Sequence, residues 1–489
     1  MHSTTFRMGI NTMSVQQVLM LLLLGLAWTT STWAQTRPLM LEGELGIRAA
    51  TAGRLPFWLA ANQWGQFDPK SANGYLSLQG RWGRRPRSWL AYELGGVLLA
   101  RQAQDPSAHF VEAYGRLRIG FLEAYLGRRR EIVGTVDTLL SSGSPNVSPN
   151  ATPIPKIVVR TPGYTTMPGT RGWVQFHGYW AHGWMRDVRQ VKGAYLHQKY
   201  LYLRFGPGSW RVYAGLVHQA FWGGTSRDPR IGRLPQGLDD YLRTVFALNA
   251  GKDAPLGEQI YIQGDHFGTY DFGFSLHGRR FELLVYRHFF YEDRDGLKFK
   301  NPQDGLLGLS LRDREGRVIE RVVYEFLYTK RQSGPMPPGP GRGGPGGRDN
   351  YYNHYLYRTG WTHYGRTVGS PLMFAFEDRA QRLTRGVENN RVVAHHLGLA
   401  GRLTSVLRYR LLATYSRNYG TYNGRDVLQQ PGATYRFEPP PEQLSLLVAF
   451  DWQPEGRPLA VQMALAGDVG QLYPDNLGIA LGVHYRPIW

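Results

Sequence analysis

Over most of its length this chain places apolar residues at every second position, and that habit narrows the folds open to it more than any other feature. In the closing stretch from Leu477 to Trp489 the odd positions carry Leu, Ile, Leu, Val, Tyr, Pro and Trp. The even positions are mostly Gly, Ala, His and Arg. A period of two describes a strand with one apolar face. The pattern recurs in Leu39, Leu41, Gly43, Leu45 and Ile47, in Leu76, Leu78, Gly80 and Trp82, in His395, Leu397, Leu399, Gly401 and Leu403, and in Leu444, Leu446, Val448 and Phe450. A soluble sandwich would pack such a face on a second sheet. A membrane barrel turns it to lipid and lines its lumen with the small or polar face. Alternation fits both.

The connections separate the two. Short links rich in turn formers include Arg84–Arg87, Gly206–Gly208, Gly278–Arg280, Asp313–Gly316 and Gln453–Gly456. Long links run over about 50–73, 129–170, 218–258, 331–354, 378–392 and 418–441. Long and short mostly alternate, as they do when periplasmic turns are tight and external loops are not. The expected fold is therefore all-β: a closed antiparallel transmembrane β-barrel of about 18 strands with long extracellular loops. The last strand, apolar on its outward face and ending on an aromatic residue, resembles the closing strand of outer-membrane barrels; Pro487 departs from that pattern but is tolerable near a strand end. The run Ser333–Arg348 is low in complexity and reads as a loop tip within one domain.

Compartment follows from the first 34 residues. Arg7 precedes a short apolar core, Val18–Trp28, and Thr32-Trp33-Ala34 has small residues where a signal peptidase reads them. Residues 1–34 are thus expected to be a signal peptide and 35–489 the barrel, placed in the outer membrane of a Gram-negative cell. A net charge of +20 would invite a nucleic-acid reading in a cytosolic protein, but export removes it. Only 8 of the 57 basic residues are Lys. The planar fork of Arg suits carboxylate, sulfate or phosphate partners. The absence of Cys removes disulfides, thiolate metal sites and thiol nucleophiles together.

Several stretches resemble the capsule assembly Wzi family of outer-membrane barrels: Leu55–Gly65; Gly127-Arg128-Arg129-Arg130-Glu131 with Leu140–Ser144 and Asn150–Ile157; His182-Gly183-Trp184 with Tyr195–Arg204; and Gly215–Gly224. They lie in the N-terminal half, and the C-terminal half is similar in style. The resemblance implies a roughly 18-stranded barrel. It also implies a lectin-like, non-catalytic role, with exported capsular or other extracellular polysaccharide held at the cell surface. No helical bundle of the kind some members carry on the periplasmic side is evident.

A glycan holder needs aromatic faces, planar polar groups and cations for acidic sugars. The long links offer Trp58, Asn62, Gln63 and Trp64, then Arg128, Arg129 and Arg130, then His218, Trp222, Arg227 and Arg230 as candidate ligand-binding residues. Each has a bland alternative. The Trp residues could pack loops against the wall, the Arg run could be a structural charge cluster, and Lys199 and Arg204 could line the lumen in ion pairs with Glu258 or Asp265. Neighbouring His395 and His396 point to opposite faces of a strand and cannot share a metal without a bulge. No zinc-protease, serine-hydrolase or nucleotide-loop motif occurs, so no enzyme, cofactor or metal is expected. The expected partners are acidic or neutral surface polysaccharide and outer-membrane lipid, with no nucleic acid, and the barrel is expected to be a monomer. The competing reading is an outer-membrane porin or transport channel for anionic or sugar solutes.

Overall fold

A computed structural model describes residues 39–84, 89–260, 262–292, 299, 301–316, 318–334, 349–378, 383–422 and 437–487. The expected signal peptide, Arg85–Arg87 of the first short turn, most of the low-complexity run (335–348) and the terminal Ile488-Trp489 lie outside the described residues.

The alternating stretches form one antiparallel sheet. Its strands are β1 (Leu39–Ala50), β2 (Asn73–Arg84), β3 (Leu90–Gln102), β4 (Ser107–Ile119), β5 (Leu122–Arg128), β6 (Lys156–Arg160), β7 (Val174–Trp184), β8 (Tyr195–Phe205) and β9 (Trp210–Trp222). The second half contributes β10 (Asp265–His277), β11 (Phe281–Tyr291), β12 (Gly305–Asp313), β13 (Arg321–Tyr328), β14 (Val392–Arg402), β15 (Leu407–Asn418), β16 (Glu442–Trp452), β17 (Leu459–Gly470) and β18 (Asn476–Tyr485). Thr165–Thr166 also pairs with β7 and continues β6 after a break. Each strand pairs with its neighbours in sequence, and β1 pairs with both β2 and β18, with Ile47 opposite Leu481. The sheet is therefore a closed barrel with no free edge.

Parity sorts the side chains as the sequence predicts. Leu45 and Leu477, on outward positions, are 63% and 69% exposed. Inward Tyr75, Val158, Tyr202, Tyr286 and Val323 are buried. So large an apolar exterior is met by acyl chains. His395 faces out and His396 is buried within, as two neighbours on a strand must be.

Three boundaries differ from the sequence reading. The link expected over 218–258 runs from 223 to 264, so His218 and Trp222 belong to β9. The link expected over 129–170 is interrupted by the short β6, whose alternation over five residues is too brief to stand out. The links expected at 331–354 and 378–392 merge into one excursion, 329–391, with no wall strand between them among the described residues. The segment Phe374–Asp378 pairs instead with Leu383–Asn389 as a ribbon of its own.

Two local devices shape the wall beside the longest loops. Between β3 and β4 the register shifts, with Val97 opposite Glu112 and Leu98 opposite Phe110, so Val111 is a bulge. The extra residue turns Glu112 inward, where it is buried. Gly127 has φ +120°, and a Cβ there would lie 2.1 Å from the Ala113 carbonyl oxygen. Only glycine fits both constraints. Gly127→Ala is expected to disrupt the β4–β5 pairing and sharply reduce the yield of heat-modifiable, folded barrel on gels.

Candidate functional site

The lumen begins with an ionic wall. Arg116 bridges Glu93 and Glu123 at 3.0 Å each, and Glu123 also receives Arg129 at 2.9 Å and Arg160 at 2.6 Å. Three guanidinium groups thus share one buried carboxylate across β4, β5, β6 and the start of the next loop. Arg129, expected as a possible sugar contact, is used here. Arg130 is used similarly: its backbone N–H donates to the bulged Glu112 at 2.8 Å, and its guanidinium lies 3.6 Å from the same carboxylate.

Residues 129–155 then fold into the barrel instead of projecting from it. Glu131 accepts from the Tyr125 and Tyr179 hydroxyls at 2.7 Å each and from the ammonium of Lys156. Burial alone would raise the Glu131 carboxyl, but Lys156 and the hydrogen bonds hold it below the usual carboxylate range. Asp137 accepts from Ser310 Oγ at 2.7 Å and pairs with Arg321 at 3.2 Å. Glu325 of β13 accepts from Ser141 Oγ at 2.6 Å, from the Ser142 N–H at 2.7 Å, from Ser142 Oγ at 2.5 Å and from Tyr286 OH at 2.5 Å. His396 donates Nε2–H to the Leu140 carbonyl at 2.6 Å and accepts the Thr414 hydroxyl on Nδ1 at 2.7 Å. Asn146 donates to Thr269 Oγ1 at 2.7 Å. The loop is a plug, held by inward residues from β4 round to β14.

A second layer lies against it. In the excursion 329–391, Tyr352 donates its hydroxyl to the Pro145 carbonyl, and Asn150 donates to the Thr367 carbonyl at 3.0 Å. His363 donates Nδ1–H to the Thr152 carbonyl at 2.7 Å; burial pushes its imidazole down to about 4, so it serves as a neutral donor. Arg366 reaches the first long loop, donating to the Ala60 and Phe67 carbonyls at 3.1 and 2.6 Å. Trp361 stacks on Phe221 at 4.2 Å and is fully buried.

The first long loop closes the remaining sector through helix α1 (Phe57–Ala60), whose Phe57 N–H donates to Asp468 at 2.9 Å. Small wall residues make room for it: a Cβ on Gly478 would lie 2.6 Å from Pro56. Trp58 is buried against His396, ring centroids 5.3 Å apart. Asn62 donates to the Ser142 carbonyl at 2.9 Å, Gln63 accepts from Arg48 at 3.4 Å, and Trp64 lies 5.9 Å from the Arg130 guanidinium. A cavity of about 70 Å³ lies among Trp58, Asn62, Gln63, Asp137 and Arg410, and one of about 20 Å³ beside Trp64 and Lys156.

The third candidate group divides. His218 and Trp222 occupy outward positions on β9 yet are buried, because the link after β9 folds back over the outside of the wall. His266 gives its Nε2–H to the Gln263 carbonyl at 2.7 Å, which leaves its Nδ1 to accept from His218 Nε2–H at 2.8 Å. Lys199 likewise points outward, not into the lumen, and donates to the Val245 carbonyl; Arg204 faces inward to Gln175 at 2.7 Å. Neither pairs with Glu258 or Asp265. Sequence parity could not foresee this, since β8 carries polar residues on both faces at 197–199.

Three candidates reach the outer loop face. Arg230 is 87% exposed and paired with Asp228 at 2.7 Å. Arg227 is exposed and donates to the Arg189 carbonyl at 2.8 Å. Arg128, half-exposed, donates to Tyr364 OH at 3.3 Å, with its guanidinium 5.8 Å from that ring. Exposed Arg186 and Lys192 occupy the neighbouring β7–β8 link.

A strand-walled cylinder with an apolar exterior and a lumen occupied by its own extracellular loops defines a plugged outer-membrane β-barrel. The chain belongs to the family described as capsule assembly protein Wzi, whose model matches residues 60–400, and it is an outer-membrane protein. Among solved structures it is similar to Wzi of Escherichia coli, described as an outer-membrane protein involved in group 1 capsule assembly and a carbohydrate-binding β-barrel. The TM-score is 0.57 at 13% identity, over 92% of this chain and 85% of that one. Pseudomonas aeruginosa OccK5 (OpdH) gives a TM-score of 0.46 at 10% identity, over 92% and 98% of the two chains. For OpdQ of the same organism the TM-score is 0.43 at 8% identity, over 93% and 100%. No curated protein matches the sequence.

Proposed function

We propose that this barrel, acting as a monomer, binds exported capsular or other extracellular polysaccharide on its outer loop face and retains it at the cell surface without catalysis. The observation that carries the reading is the stitched plug. A lumen filled by residues 129–155 and 349–378 leaves the loop face, not a passage, as the working surface. Family membership and the carbohydrate-binding description of the Escherichia coli protein support the same reading.

On this account Arg128, Arg227 and Arg230 are direct contacts, joined by Arg186, Lys192 and Tyr364. Their exposed guanidinium groups suit the carboxylates of acidic sugars, and Tyr364 offers a ring face. Individual contacts are weak, and the polymer gains by engaging many barrels at once. Trp58, Asn62, Gln63, Trp64, Arg129, Arg130, His218 and Trp222 act by holding the loops that present this face.

The test replaces Arg128, Arg227 and Arg230 together with Glu. Cell-bound polysaccharide is expected to fall and shed polysaccharide to rise, with unchanged barrel content in the outer membrane. Unchanged retention would remove the proposal. If the glycan is acidic, binding to purified barrel weakens as salt rises through the physiological range, because exposed charges are screened over about 8 Å there. A salt-independent affinity would assign a neutral glycan.

A further inference from the structure

The exterior of the wall is not uniformly apolar. On β7, β8, β9 and β10 the outward files carry His182, His197, Lys199, His218 and His266 near their extracellular ends. A cation and four imidazoles facing acyl chains would be costly at that depth. They do not face them. The link between β9 and β10 turns back down the outside of the barrel and covers the patch with helix α2 (Leu238–Val245), followed by helix α3 (Leu256–Ile260).

The inner side of α2 is fitted to the patch. Tyr241 accepts from Trp180 Nε1 at 3.0 Å and meets the rings of His182, His197 and Trp222 at 5.8, 5.6 and 5.3 Å. Thr244 and Val245 are buried, and Lys199 donates to the Val245 carbonyl at the helix C-terminus, where a cation also meets the negative end of the dipole.

Beside that buried side the same helix carries an exposed apolar stripe, while the side turned away from the wall bears the Asp239–Arg243 ion pair. Leu238, Leu242 and Phe246 follow one another at four-residue spacing, one stripe of a helix, and are 75%, 46% and 66% exposed. Leu248, Leu256 and Ile260 extend the exposed apolar surface along the link. A loop standing in water has no reason to carry such a stripe beside an already buried face.

Register shows what the stripe continues. The row Trp180–Lys199–His218–Gly268 runs across β7 to β10 at the lower border of the patch. One outward step nearer the periplasm, Leu201 pairs with Leu216, and both are exposed members of the lipid-facing belt. The helical flap therefore begins where the apolar belt stops.

We infer that residues 238–260 form a flap lying in the outer leaflet of the membrane, its inner face sealing the polar patch on β7–β10 and the neighbouring stripe of Leu238, Leu242 and Phe246 in contact with lipid acyl chains. The flap restores an apolar exterior over a wall that is not apolar, and it anchors the β9–β10 link that also carries Arg227 and Arg230.

The chain has no Cys, so single cysteines can be placed and spin-labelled without background. Leu242→Cys and Phe246→Cys barrels are reconstituted into phosphatidylethanolamine–phosphatidylglycerol vesicles, with Leu201→Cys as the lipid-belt reference and Arg230→Cys as the water reference. Folding of each is checked by heat-modifiable mobility. The labels at 242 and 246 are expected to match 201: high collision rates with oxygen, and rates with a water-soluble nickel chelate several-fold below those at 230. Chelate access equal to that at 230 would place the flap in water and overturn the inference. Low access to both reagents would also overturn it, by showing that protein covers the stripe. Neither outcome touches polysaccharide retention, so this test and that of the proposed function fail independently.

Discussion

Glu325→Ala is expected to turn a silent barrel into a leaking one. In planar lipid bilayers the unaltered protein should pass no steady current, because its plug is bonded to the wall at several points. Glu325 is the densest of these, gathering the Ser141 hydroxyl, both donors of Ser142 and the hydroxyl of Tyr286 on one carboxylate. Truncation to Ala leaves the Ser142 N–H, the Ser142 hydroxyl and the Tyr286 hydroxyl buried without this acceptor, and each such group costs about 1–3 kcal/mol. Asp137, Asn146 and His396 remain, so the plug should loosen around 140–144 and not leave the lumen. The current should flicker, and adding Asp137→Ala should make it more persistent, since Asp137 holds Ser310 and Arg321 on the neighbouring strands. A Glu325→Ala barrel that is folded by heat-modifiable mobility and remains as silent as its parent would show that the plug does not depend on this grip.

The same residues show what could be read beforehand and what could not. The walls were legible because burial on a barrel strand repeats with an exact period: Leu39 to Ile47, Leu444 to Phe450 and the closing strand all sort by parity. The unequal loops were legible because turn formers cluster at one end. The direction in which a loop folds was not. Length alone does not distinguish a loop that projects from one that enters the lumen, and Trp58 or Arg129 carries the same letters in either case. A signal was nonetheless present. From Gly134 to Thr152 the chain offers Ser, Asn, Thr, Gly and Pro with Asp137 as its single charge, a composition suited to many neutral hydrogen bonds in an enclosed space. The bulge at Val111 was invisible because one inserted residue leaves alternation intact on both sides of it. The outer flap was hidden for a related reason: β8 shows His197 and Lys199 on its outward file, and their cover lies some forty residues on, in a helix whose exposed apolar stripe flanks the side it turns to the wall.

Glu131→Gln should be the most destabilising single change in the plug, and its effect should depend on pH in a defined direction. Lys156 is buried, and besides Glu131 it reaches Gln198 Oε1 at 2.8 Å. A neutral amide at 131 accepts one of the Tyr125 and Tyr179 hydroxyls on its single oxygen and presents a donor NH2 to the other, and it leaves the ammonium buried without a matching anion. Breaking one side of such a pair costs about 3–5 kcal/mol, whereas replacing both members with apolar residues of similar volume is often neutral. Glu131→Leu combined with Lys156→Met should therefore be more stable than Glu131→Gln alone, which identifies the orphaned charge, not lost volume, as the cause. In the folded protein the Glu131 carboxyl is held below its ordinary value. Its contribution to stability is thus fully present above the unfolded carboxylate value of about 4.3 and is lost as pH falls through the lower folded value. Thermal melting in detergent should show a wide gap between the unaltered protein and Glu131→Gln at neutral pH, narrowing as the solution is acidified below pH about 4. A gap that is constant across this range would mean that the pair contributes through packing and not through charge, and the ionic link between the β5 loop and β6 would no longer explain how the plug is seated.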